Sequence, residues 1–99
     1  MLKISTHQTR DKVTLKLDGR LAGPWVDELE RVWTQELLPQ RSKQHFLDVH
    51  ELIFANVEGV KLLKKIYMES QAVILAATPL SQALSDEIKG KVKDSGGKA

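Results

Sequence analysis

Two hydrophobic periods take turns along this chain, and their order restricts the fold to a small set. "LKIST" and "KVTLKLDG" alternate apolar with polar residues (Leu2 and Ile4, then Val13, Leu15 and Leu17), with the polar stretch His7 to Asp11 between them. These runs predict an antiparallel pair with one wet face. The period then lengthens. "GPWVDELERVWTQELLP" has Pro24 at the favoured first helical position, acids in its first turn, and Trp25, Leu29, Val32, Trp33 and Leu37 along one stripe, with Pro39 as its stop. "HFLDV" predicts a short strand, and "NVEGVKLLKKIYMES" a helix with Val60, Leu63, Ile66 and Tyr67 facing inward. "AVILAA" predicts an uninterrupted apolar strand of the kind buried on both faces of a parallel sheet. A last helix is expected in "TPLSQALSDEIKGKV", with Pro79 at an early position and Leu80, Ala83, Leu84 and Ile88 as its stripe.

The order β-β-α-β-α-β-α predicts an α/β domain with a mixed, mostly parallel four-stranded sheet. Strands joined through helices run parallel by right-handed crossovers, which leaves the first strand antiparallel at an edge. At 99 residues and 41% hydrophobic, the chain has material for one modest core. That core is assigned to residues 1–90, with residues 91–99 as a flexible basic tail.

The charge has a definite address. Residues 89–99, "KGKVKDSGGKA", hold four lysines and one aspartate, whereas residues 1–88 hold eleven Lys and Arg against twelve Asp and Glu. The body is therefore near neutral. It has no basic stripe interleaved with aromatics, so a nucleic-acid partner is not expected. No cysteine is present, which excludes disulfides, thiolate metal ligands and cysteine nucleophiles, and suits a reducing compartment. The first residues, "MLKISTHQTR", lack the apolar run of a signal peptide, and no stretch approaches the ~20 apolar residues of a membrane span. A cytoplasmic location without membrane insertion is the expectation.

Sites in open α/β sheets lie at the carboxyl ends of the strands. This predicts one rim holding Asp48, His50, Glu51, the stretch up to Phe54, and Asn56 to Gly59, with Ala77 and Thr78 beside them. Asn56 is a good N-cap and Glu58 a favourable first-turn acid, and stabilising a helix start accounts for both without any further role.

The stretches "LDGRLAGPWVDELERVW", "LDVHELIFANVEGVKLLKKI" and "AVILAATPLSQALSDEI" together resemble the STAS family, the domain of bacterial anti-sigma-factor antagonists, over roughly residues 2–90. The resemblance rests on the β/α order, on Leu47-Asp48-Val49 as the hydrophobic-Asp-hydrophobic strand, on Ile53-Phe54 closing a short apolar loop, and on the helix opening that follows. Family members open that helix with Asp-Ser-Ser/Thr-Gly. Here it reads Asn56-Val57-Glu58-Gly59: the glycine matches, the aspartate has become Asn56, and both hydroxyl positions are lost. The resemblance implies a protein-interaction regulator whose partner is an ATPase-fold anti-sigma factor or kinase. It equally implies an alternative, an accessory subunit on the cytoplasmic side of an ABC-type lipid or anion transport assembly. In either case the implied partner surface is His50, Glu51, Phe54, Asn56, Val57, Glu58, Gly59 and Lys61. Signalling members of the family are switched by phosphorylation of the hydroxyl residue just before the glycine, and Glu58 stands there instead. Its single charge, against about −1.5 to −2 for a phosphate, reads either as a weak, permanent form of the modified state or as an ordinary first-turn acid.

Enzymatic readings fare poorly. None of His7, His45 and His50 is placed with a second ligand at helical spacing, so no metal is expected, and no cofactor motif is present. Ser81 and Ser85 lie near Asp86 without a strained nucleophile turn. Asp48 with Glu58 is the one acid/base pair the pattern allows, and it would need a pocket to exclude water. Trp25 and Trp33 share a helical face, with core packing the expected role of both, and Lys61, Lys64 and Lys65 are expected on the outer side of the second helix.

Overall fold

The computed structural model describes residues 1–40 and 42–90. The tail expected over residues 91–99 lies outside the described residues. Strands β1 (Leu2–Gln8) and β2 (Lys12–Leu21) form the antiparallel pair, and β3 (Gln44–Ala55) and β4 (Val73–Leu75) follow in a four-stranded sheet ordered β1-β2-β3-β4. Pairing is antiparallel between β1 and β2 and parallel from β2 to β4. Helices α1 (Pro24–Val32), α2 (Val57–Ser70) and α3 (Pro79–Ile88) complete the expected β-β-α-β-α-β-α order.

Because β2, β3 and β4 succeed one another in the same direction, right-handed crossovers put the connecting helices on one face of the sheet. The core forms there: Val13, Leu15 and Leu17 of β2, Leu47, Val49 and Leu52 of β3 and Ile74 of β4 meet Leu29, Trp33, Leu37, Leu63, Ile66, Leu84 and Ile88. The other face, with Thr14, Lys16, Phe46, Asp48 and His50, is only partly covered.

This one-sided winding corrects the reading of "AVILAA". The strand is three residues long and lies at an edge, with Ile74 buried and Val73 and Leu75 exposed on the bare face. A continuous apolar run does indicate a two-sided burial where helices flank both faces, and here they do not.

"HFLDV" extends well beyond its expected end. β3 is 12 residues long and absorbs the segment His50 to Ala55 that the sequence presented as a loop. Burial alternates at His45, Leu47 and Val49 and then shifts phase to Leu52. The cause is a bulge: Lys16 pairs with Asp48 but Asp18 with Glu51, so β3 carries one residue more than β2 in between, and a second extra residue falls between Leu52 and Phe54. Broken alternation looks like a loop in sequence.

The first helix changes pitch along its length. α1 passes into a π-helical turn, Trp33–Leu37, and then a 3₁₀ turn, Leu38–Gln40, that contains Pro39. Residues four apart drift about 40° around an α-helix, and the wider π turn cancels that drift. Leu29, Trp33 and Leu37 thereby all reach the core.

α3 is rotated from its expected stripe. Leu84 and Ile88 are buried as expected, but their buried companions are Ser81 and Ser85, while Leu80 and Ala83 are exposed. Ser81 is consumed by the helix start: its Oγ accepts from the Ala77 and Thr78 amides at 2.9 and 2.8 Å, and the Thr78 side chain accepts from the Ser81 amide at 3.0 Å. That cap fixes which side of the helix turns inward. α2 matches its expected stripe, with Leu62 buried in addition and Tyr67 half-buried.

Candidate functional site

The site is built where β2 and β3 end and α2 begins. The Leu21 carbonyl of β2 accepts the Asn56 amide at 3.0 Å, and the Asn56 side-chain carbonyl accepts the Gly59 amide at 2.7 Å, so the first turn of α2 is pinned at both ends. Gly59 is buried against Leu21, and its lack of a side chain allows the helix start to sit directly on the strand end. We expect Asn56→Ala to lower stability by about 1 kcal/mol in thermal melts, with Asn56→Asp retaining the cap.

On this rigid support the rim is apolar. Ile53, Phe54 and Val57 are 55%, 38% and 69% exposed, although nothing in core packing requires large apolar side chains at exposed positions. The Arg20 guanidinium lies over the Phe54 ring, 4.5 Å from its centroid. Arg20 is paired across the sheet with Phe54, which two intervening bulges made unforeseeable from the sequence. Glu58 projects beside the patch and is met only loosely by Lys61 at 3.8 Å, both side chains being largely exposed.

Between α1 and α2 the rim continues into an open groove of ≈ 480 Å³, whose lining includes Asp27, Glu30, Asn56, Glu58, Lys61 and Lys65. Lys65 meets Glu30 at 3.6 Å across it. The groove is open to solvent and edged by charged side chains, so it offers charge to a macromolecular partner rather than a water-free chamber for chemistry.

Of the residues expected at the rim, Phe54 lies near the end of β3, Asn56 caps α2, Val57, Glu58, Gly59 and Lys61 form its first turns, and His50 and Glu51 lie earlier in β3. With β3 continuing to Ala55, His50, Glu51 and Phe54 all lie within the strand rather than on a rim loop. His50 sits between two carboxylates: its Nδ1 is 2.5 Å from Asp48 Oδ1 and its Nε2 is 3.5 Å from Glu51 Oε2, while Glu51 lies 3.8 Å from Lys16. The Asp48 carboxylate also accepts the His50 amide at 3.1 Å. Asp48 is thus occupied by His50 within the bulge. Ser81 and Ser85 are buried, and Trp33 is a core residue, whereas Trp25 is half-buried at the start of α1. Lys61, Lys64 and Lys65 are exposed as expected. Among the described residues no group of three or more His, Asp or Glu side chains is placed to hold a metal ion, and no helix is long and apolar enough to cross a membrane.

The one-sided mixed sheet, the glycine-seated helix start and the rim above it define a STAS-type fold. No family model matches the chain, and no curated protein matches it in sequence. Solved structures match it in fold. The STAS domain of an anti-sigma-factor antagonist from Rhodobacter sphaeroides aligns with a TM-score of 0.60 at 9% identity, over 81% of this chain and 90% of its own. The anti-sigma-factor antagonist SpoIIAA in its unphosphorylated form aligns with a TM-score of 0.56 at 17% identity, over 89% and 99%. An uncharacterized protein with a SpoIIAA-like fold from Shewanella loihica aligns with a TM-score of 0.59 at 13% identity, over 91% and 77%. At such identities the likeness establishes the fold: the chain folds as the STAS, SpoIIAA-like domains of anti-sigma-factor antagonists do.

Proposed function

We propose that this protein is a non-enzymatic interaction module of the anti-sigma-factor-antagonist type, acting in the cytoplasm, whose partner is an ATPase-fold anti-sigma factor or kinase. The observation that carries this reading is the exposed Ile53, Phe54 and Val57 patch, flanked by Glu58 and held on the Asn56-capped turn. A rigid apolar centre with charged flanks has the anatomy of a protein-binding surface. The fold neighbours support it, since two of them are anti-sigma-factor antagonists.

Glu58 stands where such domains carry a phosphorylatable hydroxyl, so in this reading the chain is not switched at that position. Its carboxylate either accepts a charge-assisted hydrogen bond from a partner Arg or Lys or repels an acidic surface, and the two cases give opposite signs on mutation. Glu58→Gln keeps the shape and removes the charge. We expect the affinity for the partner to change by at least about 1 kcal/mol, roughly fivefold or more, while the melting temperature stays nearly constant because the side chain is exposed. Calorimetry finding unchanged affinity in both Glu58→Gln and Glu58→Lys would reduce Glu58 to a helix-start acid.

A further inference from the structure

We propose that the protein self-associates as a twofold dimer in which β4 pairs antiparallel with the β4 of a second copy. The sheet has two edges, and they are built differently. β1 carries Lys3 and His7, both exposed, and a lysine on an edge strand is a common guard against pairing with a foreign strand. β4 has no such guard. From Ala72 to Ala77 the sequence is "AVILAA", without a charge, a proline or a glycine. Among the described residues β4 is bonded on one side only, to β3.

The side chains at this edge point the same way. Val73 and Leu75, 46% and 39% exposed, stand on the bare face of the sheet, and Val73 is in register with half-buried Phe46 of β3. Lys12 lies over the Phe46 ring at 5.9 Å, closing the strip on its inner side and leaving the outer side open. A twofold axis at Ile74 sets Val73 of each copy opposite Leu75 of the other and makes one eight-stranded sheet. It joins aliphatic to aliphatic, leaves no new edge at the seam, and places each Phe46 one strand in from it. Pairing of β4 with the β1 of another copy would propagate without closing, and Lys3 and His7 oppose it. The second copy is therefore the occupant this edge fits. The dimer leaves the rim of each copy at the carboxyl end of its strands, so it is independent of the proposed partner surface.

The test is sedimentation equilibrium on the full chain and on Leu75→Lys and Val73→Lys, with circular dichroism melts of each. The expected result is a concentration-dependent dimer for the natural chain, at least tenfold weaker dimerisation in either variant, and melting of the dilute monomers little changed, because both side chains are on a partly exposed face. Amide exchange at Val73 to Leu75 should slow as the natural chain is concentrated. A chain that remains monomeric up to its solubility limit, a series of higher oligomers, or a dimer indifferent to both lysines would each overturn the proposal.

Discussion

Trp33→Ala should lower stability by about 4 kcal/mol, the largest loss expected from any single truncation in this domain. Trp33 is buried at the start of the π-helical turn, its indole N–H donates to Glu69 Oε1 at 3.2 Å, and its ring meets the buried His45 ring edge-on, with centroids 5.7 Å apart. Truncation removes the largest fully buried side chain, leaves a cavity between helix and sheet, and strips His45 of its aromatic neighbour. A single domain commonly has about 5–15 kcal/mol in total, so the variant should be close to the limit of folding at physiological temperature. Urea unfolding followed by circular dichroism measures the loss. Trp33→Phe, which keeps a ring and gives up the hydrogen bond to Glu69, should cost distinctly less. A Trp33→Ala variant weakened by under about 1.5 kcal/mol would mean that the helix does not seat on the sheet through this residue.

Gly59→Val should cost about 3 kcal/mol, and Gly59→Ala about 1 kcal/mol. A Cβ built on Gly59 would stand 2.9 Å from Leu21 Cγ and 3.0 Å from the Leu21 carbonyl oxygen. The side chain has some room to turn away, but the carbonyl does not, because it is the acceptor for the Asn56 amide at 3.0 Å. Relieving the clash therefore loosens the contact that fixes the start of α2. Alanine recovers up to about 1 kcal/mol through its better helix propensity, which valine mostly forgoes, and this separates the two variants. For a domain of this size the valine change corresponds to a fall in melting temperature of roughly 12–24 °C. Partner binding should fall with it, since Val57 and Glu58 ride on the displaced turn.

Gly59 also illustrates how far the sequence could be read. The glycine after Asn56-Val57-Glu58 was visible as the surviving element of a family motif, and the cap at Asn56 followed from residue type and position alone, because capping is local chemistry. The order of strands and helices followed from the two periods for the same reason. The misreadings share a different cause. His50 to Ala55 looked like a loop because the two bulges that let β3 follow β2 to Leu21 break the alternation, and bulges are set by the partner strand. Val73 and Leu75 looked buried because an apolar run does not say how many helix layers surround it. Ser81 displaced Leu80 from the core because its hydroxyl closes the cap with Thr78, a short-range preference that outweighed the apolar pattern. The Arg20 stack on Phe54 depends on the register across those bulges and left no trace in the linear sequence.

The central claim is that the rim above α2 is the partner-binding surface. It is tested most directly by following the backbone amide resonances of the labelled protein while candidate partners are titrated in turn, the ATPase-fold anti-sigma factor or kinase first and the ABC-transport ATPase second. The account predicts saturable shifts with the first that concentrate on Ile53 to Lys61 and on Arg20, and that are abolished in Val57→Lys. Shifts centred on β1 and Lys12 to Lys16, or a response confined to the transport ATPase, would contradict it.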